Sequence, residues 1–280
     1  MTEENVNPAE KQKELAITKI TKYLDADIVK SRFAEVLGDR SSGPYIASVM
    51  TLVKDSKALL ECSAPSIYTS ALRAATLRLS VDPAIGQAYL VPFKGQATLV
   101  VGYKGLYDMA VRTGKYRYIN VGPIYKGQIV EENQITGFHT ISGSIEGSRQ
   151  PEEIIGWIGA FEMNPEKGMT NGFGKTMYMT VEEIHRHAKE YSKGYDNPNG
   201  TWKKETKKME RKTVLRLLIR RWGYLNPNDV QELAAAEGEN ETVDAQIYDI
   251  PAYNEDDEVV EETPKPKKTQ EELIHELTGE

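Results

Sequence analysis

The stretch AYLVPFKGQATLVVGY, residues 88–103, is the clearest strand signal in the chain. Apolar and β-branched residues fill two short runs, and Lys94-Gly95-Gln96 stands between them. Two such runs joined by a short loop with glycine predict an antiparallel β-hairpin. Pro92 lacks a backbone N–H, which places the first run at the edge of a sheet.

Helices are predicted before the hairpin. Apolar residues recur at helical spacing over residues 28–37, with Gly38 as the stop, and Pro44 suits the first turn of a helix that runs towards Lys54. An alanine-rich helix follows at residues 66–79. The first third of the chain is therefore expected to be helical.

After the hairpin we expect both kinds of element. Short strands are predicted at residues 116–121, 124–130, 154–163 and 175–179, and helices at 106–113, 181–191 and 202–224. Helices, then strands, then helices indicate an α+β fold with a mainly antiparallel sheet flanked by helices. Residues 1–60 would form the helical N-terminal part, and residues 61–235 the α+β core.

Charge is distributed unevenly along the 280 residues. Residues 230–280 carry 3 basic and 16 acidic side chains, whereas residues 1–229 carry 32 basic and 26 acidic ones. Within residues 167–221 there are 14 basic and 6 acidic side chains. A basic body of this kind is the electrostatic footprint of a polyanion partner, and the net charge of −7 hides it.

The C-terminal tail is predicted to have two parts. Residues 236–268 lose apolar periodicity and form an acidic, disordered linker. Residues 269–280 begin with a capping box and form a short helix that needs a partner to be stable. Its apolar stripe, the predicted contact surface for that partner, consists of Leu273, Ile274 and Leu277.

The predicted helix over residues 202–224 carries the strongest functional signal. One half of its surface is basic in the N-terminal part and becomes apolar farther along, so we expect the first half to project from the core along a nucleic-acid groove. A solvated charged face is the alternative, although few acids are available to balance it. The basic residues are Lys203, Lys204, Lys207, Lys208, Arg211 and Lys212.

Further cations and aromatic residues extend this pattern. Cations neutralise phosphates, and aromatic faces stack on the exposed bases of single strands. The additional DNA-binding candidates are Arg73, Arg78, Lys104, Arg112, Lys115, Arg117, Lys175 and Lys193. Candidates for base stacking are Tyr103, Tyr195 and Trp202, and core packing is the alternative for each of these rings.

Signals for catalysis and cofactors are weak. The stretch GMTNGFGKT, residues 168–176, has five residues instead of four between its outer glycines and continues into a strand, so it does not fit a phosphate-binding loop. His185 and His187 are two residues apart on a helix and cannot share a metal. Cys62, the single cysteine, is expected to be a buried structural thiol. We expect no catalytic residues, no metal, no cofactor and, since no apolar run is long enough to cross a bilayer, no membrane segment.

Several ordered sequence blocks resemble the RecT family of phage single-strand annealing proteins. They are residues 64–66, 86–93, 102–106, 112–116, 191–202 and 209–213, and together they cover roughly residues 64–218. The resemblance implies a protein, not an enzyme, that coats single-stranded DNA in the cytoplasm of a bacterial host. It further implies that this protein forms rings or filaments and pairs complementary strands without ATP.

The resemblance also implies partners. They are single-stranded DNA, the annealed duplex, further copies of the chain and a 5′–3′ exonuclease. Apart from the resemblance, we expect self-association through residues 1–60, and binding of the exonuclease or of a host single-strand binding protein at residues 269–280. Other functions stay open at this point. A single-strand binding protein that does not anneal, an ATP-driven recombinase and a nuclease would share parts of the pattern.

Overall fold

The structure is a computed structural model that describes residues 8–143, 153–165, 173–192 and 194–238. Its first part is helical, as predicted. The helices are α1 Pro8–Leu24, α2 Asp27–Leu37, α3 Asp39–Asp55, α4 Lys57–Leu60 and α5 Ala64–Thr76.

Two helix boundaries test the predictions in this region. Gly38 ends α2 with a φ of +79°, which confirms the predicted stop. The prediction for Pro44 is wrong, because α3 already begins at Asp39 and the proline lies inside the helix. There it has no N–H to donate to the carbonyl of Arg40.

The predicted hairpin is confirmed. Strands β1 Ala88–Phe93 and β2 Gln96–Val101 pair antiparallel, with Phe93 opposite Gln96. Lys94 and Gly95 both have positive φ, of 50° and 74°, as the turn of a two-residue hairpin requires. These two strands form a sheet of their own, so Pro92 does lie at an edge.

The remaining strands form two further antiparallel sheets, which confirms the α+β class. Helix α6 Tyr103–Arg112 leads to β3 Tyr116–Tyr125, β4 Ile129–Glu132, β5 His139–Ser142, β6 Ile154–Met163 and β7 Gly174–Thr180. The order in the larger sheet is β3-β6-β7, while β4 and β5 pair only with each other.

The prediction of one strand over residues 124–130 is wrong. Ile124 belongs to β3, which continues through Pro123 as an edge strand, where a missing N–H is tolerated. The chain then turns at Lys126 and Gly127, whose φ of +92° a glycine adopts without strain.

The C-terminal helices are α7 Val181–Tyr191, α8 Thr201–Lys204, α9 Thr206–Trp222 and α10 Pro227–Gly238. Thr180 and Glu183 form the capping box of α7. The single long helix predicted over residues 202–224 is wrong, because Glu205 has a φ of −130° and a ψ of 42° and separates α8 from α9. Helix α10 was not predicted and runs past residue 235, where we placed the end of the core.

Two hydrophobic cores meet at α9. Helices α1 to α6 and the β1–β2 hairpin surround the first core, so residues on both sides of the predicted boundary at residue 60 share it. The second core lies between the β3-β6-β7 sheet and helices α7 to α9. Ile219 of α9 belongs to the first core and Leu218 to the second, so this helix joins the two halves of the molecule.

Candidate nucleic-acid interface

A basic surface covers α8 and the N-terminal half of α9. Its exposed members are Lys203, Lys204, Lys207, Lys208 and Arg211, and Lys212 is half-buried beside them. Glu205 lies 2.8 Å from Lys208 in an ion pair. In the described part of the chain, no carboxylate lies within ion-pair distance of Lys207 or Arg211. We refer to these six residues as the α8–α9 basic surface.

Residues 213–219 of α9 are mostly buried, where the helix passes between the two cores. Val214, Leu218 and Ile219 are at most 1% exposed. Arg216 is also buried, and its Nη1 donates to the carbonyl oxygen of Val101 at 3.2 Å. The predicted change from a basic to an apolar half is therefore confirmed, because packing between the two cores holds one half and leaves the other at the surface.

Tyr195 lies beside the basic surface. The Nζ of Lys203 stands 5.5 Å from the centre of its ring. Its hydroxyl lies 2.7 Å from Nδ1 of His185. Burial raises the pKa of Tyr195, and the carboxylates of Asp196 and Glu210 add to that rise. The phenol therefore keeps its proton and remains a hydrogen-bond donor.

Trp202 does not fit the predicted role in base stacking. It is only 2% exposed, and its Nε1 donates to Oγ of Ser192 at 3.1 Å. The edge of its ring contacts Tyr195 and His185 within the second core. Trp202 is thus a core residue, because the break at Glu205 turns α8 so that this ring faces inward.

A second group of cations lies at the other end of α9. The Nζ of Lys115 stands 4.0 Å from the ring centre of Tyr224, and that of Lys175 stands 5.2 Å from the ring centre of Trp222. Trp222 is 36% exposed. Lys175 lies in β7, so the strand predicted at residues 175–179 is confirmed.

A third group surrounds α5 and α6. Lys104 and Arg78 are exposed, whereas Arg73 and Tyr103 are half-buried. Arg78 has a φ of +54° and lines an open cleft of about 540 Å³.

Arg112 and Arg117 are predicted cations that, like Lys208, are already paired with carboxylates. Nε of Arg112 pairs with Asp108 at 2.9 Å, and its Nη2 donates to the carbonyl oxygen of Leu77 at 2.8 Å. Arg117 pairs with Glu162 at 3.0 Å, although 67% of its side chain is exposed. Arg112 therefore joins α6 to the end of α5, a role that the pattern of cations did not indicate.

Four predicted residues lie outside the described part of the chain. They are Lys193 and the tail residues Leu273, Ile274 and Leu277. Their predicted roles in DNA binding and partner binding stay predictions.

Two features of this region were missed at the level of sequence. Trp222 lies in the part of the predicted helix that we expect to be apolar, but its ring is exposed, with Lys175 and Arg221 beside it. His185 was considered only as a metal ligand, but it bonds to Glu210, with 2.9 Å between Nε2 and Oε1. The position of Trp222 near the end of the predicted helix was a signal that its ring could be exposed. The contacts of His185 depend on packing and leave no signal in the sequence.

Other chemistry has little support among the described residues. No group of three or more His, Cys, Asp or Glu side chains is placed to hold a metal ion there. Cys62 is 6% exposed, as predicted, and burial followed by the charge of Glu61 raises the pKa of its thiol. No helix in the described ranges has the length and apolar content to cross a bilayer.

Proteins that bind single-stranded nucleic acids typically place exposed basic side chains beside aromatic rings. This α+β protein has that arrangement. A family model described as the RecT family matches residues 44–263, more than three quarters of the chain, and the chain therefore belongs to the RecT family. Membership of this family supports a role in the annealing of single strands in recombination.

Two relatives agree with this assignment. The chain is 34% identical over 251 residues to the uncharacterized protein YqaK of Bacillus subtilis (strain 168), a match that covers 87% of this chain and 81% of YqaK. It is 23% identical over 117 residues to Protein RecT of Escherichia coli (strain K12), covering 39% of this chain and 44% of that protein.

Proposed function

We propose that this protein anneals complementary DNA strands without ATP and acts as an oligomeric filament in the cytoplasm of a bacterial host. The α8–α9 basic surface holds the phosphate backbone of the first strand. The observation that carries this assignment is that Lys207 and Arg211 are exposed and have no carboxylate within ion-pair distance among the described residues. Family membership separately supports the role in annealing.

The physical basis of annealing is charge neutralisation. Two DNA strands repel each other through their phosphates, and bound cations remove much of that repulsion while releasing counterions. Contacts to the backbone leave the Watson–Crick edges free to pair. Base pairing then supplies the free energy, so nucleotide hydrolysis is not required.

One assay separates annealing from its alternatives. Complementary oligonucleotides are mixed with the protein with and without ATP and Mg²⁺, and duplex formation, strand length and phosphate release are followed. We expect faster duplex formation in all conditions, full-length strands and no phosphate release. A single-strand binding protein that does not anneal would leave the rate unchanged or lower it, and this outcome would overturn the proposal.

The double substitution Lys207→Ala with Arg211→Ala tests the basic surface. Each lost phosphate contact on a single strand lowers the slope of log affinity against log salt by about 0.7, and the loss is similar for all sequences. The matched control replaces Lys94 of the hairpin turn and Lys126 of the turn after β3 by alanine. Both lysines are exposed, and the pair changes the net charge by the same amount. If the slope changed no more than in that control, α9 would lie outside the groove.

Partner contacts are proposed for both ends of the chain. Residues 1–60 mediate self-association, and residues 269–280 bind a 5′–3′ exonuclease or a host single-strand binding protein. We expect that deletion of residues 269–280 leaves annealing of purified strands unchanged and abolishes co-purification with the partner. Loss of annealing by the truncated protein would show that the tail belongs to the annealing machinery itself.

A further inference from the structure

Four side chains form a continuous hydrogen-bonded chain from the second core to the edge of the basic surface. Nε1 of Trp157 donates to Oε2 of Glu210 at 2.7 Å. The other oxygen of Glu210 lies 2.9 Å from Nε2 of His185, whose Nδ1 lies 2.7 Å from the hydroxyl of Tyr195. The four residues come from β6, α9, α7 and the loop before α8. The chain therefore fixes three elements and a surface loop relative to one another.

The direction of each hydrogen bond follows from the chemistry of the groups. A carboxylate only accepts, so Nε2 of His185 carries the proton that is donated to Glu210. In the tautomer with its proton on Nε2, Nδ1 is an acceptor, and the hydroxyl of Tyr195 donates to it. Every polar atom of the imidazole is thus used, and the ring has one preferred orientation.

Glu210 is an unusual residue for its position. It lies between Lys207 and Arg211 on the basic half of α9, yet its side chain is only 5% exposed. Burial of a carboxylate costs several kcal/mol unless hydrogen bonds compensate it. Trp157 and His185 already supply those bonds, so the buried charge does not need Tyr195. The contact with Tyr195 is an additional one, and it is directed outward to the surface.

Tyr195 is the end of the chain that reaches solvent. Its ring is half-buried and has the ammonium of Lys203 beside it. The surrounding loop is also ordered by hydrogen bonds, since the N–H of Asn197 donates to the carbonyl of Gly194 at 3.1 Å and that of Gly200 to Asn197 at 3.0 Å. An aromatic ring held next to a cation offers one surface for a base and one charge for its phosphate.

We propose that His185 is a positioning residue that holds the ring of Tyr195 at the edge of the α8–α9 basic surface, where it stacks on a base of the bound strand. Glu210 fixes the orientation of His185, and Lys203 contacts the adjacent phosphate. This inference rests on the proposed function, since it needs a strand on that surface.

Two amide substitutions of His185 separate positioning from simple stabilisation. In His185→Asn, the side-chain amide lies close to the place of Nδ1. It keeps an acceptor for the hydroxyl of Tyr195, but the hydrogen bond to Glu210 is lost. In His185→Gln, the side-chain amide reaches the place of Nε2. It keeps a donor for the buried carboxylate of Glu210, but the hydrogen bond with Tyr195 is lost. A structural role alone predicts that the more stable variant, His185→Gln, also binds DNA better. Positioning predicts the opposite order of affinity.

Affinity for a labelled single strand is measured by fluorescence anisotropy at several salt concentrations, with the midpoint of thermal unfolding for each variant. We expect Tyr195→Ala to weaken binding by about 5- to 100-fold at every salt concentration, because stacking is not ionic and leaves the salt slope unchanged. Tyr195→Phe and His185→Gln break the same bond and should lose affinity equally, while His185→Asn, which keeps an acceptor for Tyr195 without the bond to Glu210, should lose less affinity than either. The control is Tyr118→Ala on β3, a tyrosine that is 47% exposed and lies outside the α8–α9 basic surface.

Three results would overturn the inference. They are unchanged affinity of Tyr195→Ala, equal affinity of the two His185 amide variants, and affinities that follow the unfolding midpoints. The Lys207 and Arg211 double variant is titrated in the same series. If its salt slope falls while Tyr195→Ala binds normally, the proposed function stands and only the role of Tyr195 and His185 is rejected.

Discussion

The phenol of Tyr89 lies in the first strand of the hairpin, where burial, followed by the nearby Tyr103, raises its pKa to about 12. In the unfolded chain a tyrosine titrates near pH 10. A group whose pKa is raised on folding stabilises the fold fully below the unfolded pKa. This contribution to stability is lost as the pH rises through the pKa of the group in the folded state. Burial has the same effect on Tyr116, whose pKa is about 12 although a hydrogen bond with the backbone of Tyr224 lowers it.

We therefore expect the free energy of unfolding to fall between about pH 10 and pH 12. Tyr89→Phe removes one of the contributing phenols, so its stability should fall less steeply over the same range. The measurement is urea denaturation at pH 8, 10 and 11, with pH 8 as the reference at which no phenol ionises. If the free energy of unfolding fell equally steeply with pH in Tyr89→Phe and in the unsubstituted protein, Tyr89 would not be desolvated in solution.

Helix α6 depends on a close approach between two backbones. A methyl group on Gly105 would overlap the carbonyl oxygen of Gln87, which comes directly before β1. We expect Gly105→Ala to lower the free energy of unfolding by about 1–3 kcal/mol, since the helix must move away from the hairpin.

Gly43 of α3 provides the matched control. A methyl group there would meet no atom within 4 Å. Alanine favours a helix over glycine, so Gly43→Ala should raise the free energy of unfolding by about 0.5–1 kcal/mol. Denaturant titrations of the two variants check both signs. A stabilising Gly105→Ala would mean that α6 does not pack so closely on the hairpin.

At the level of elements, the sequence predicted most of those that depend on neighbouring residues. The hairpin and the stop at Gly38 both follow from turn chemistry and short periodicity. The break at Glu205 was missed because the residues around it are good helix formers. The break turns the ring of Trp202 into the second core, and that burial is a tertiary contact that the local pattern does not encode.

At the scale of the whole molecule, α9 makes the two cores interdependent. Leu218 is fully buried, and neighbouring Ile219 packs in the other core. We expect Leu218→Ala to cost about 2–5 kcal/mol, as for other large residues in a core. Both cores should then unfold in one transition at a lower denaturant concentration.

Two probes follow the two halves separately. Far-UV circular dichroism reports mainly the helices of the first core. Tryptophan fluorescence reports Trp157 and Trp202 in the second core, together with Trp222 at the end of α9. Coincident midpoints in Leu218→Ala would support a shared element, and a shift of the fluorescence midpoint alone would contradict it. Val230→Ala on α10, at a position 48% exposed, is the control and should leave both midpoints unchanged.

The sequence by itself determined the α+β class, the antiparallel hairpin, the change from basic to apolar along α9 and the resemblance to the RecT family, because these depend on periodicity, turn residues and ordered motifs. Only the tertiary structure decided which cations share a surface. It divided the predicted set into three groups, turned Trp202 into the core and engaged Arg112 in an ion pair. It also joined Trp157, Glu210, His185 and Tyr195, which are up to 53 residues apart. Such contacts depend on how elements pack across the molecule, and no local pattern in the chain encodes them.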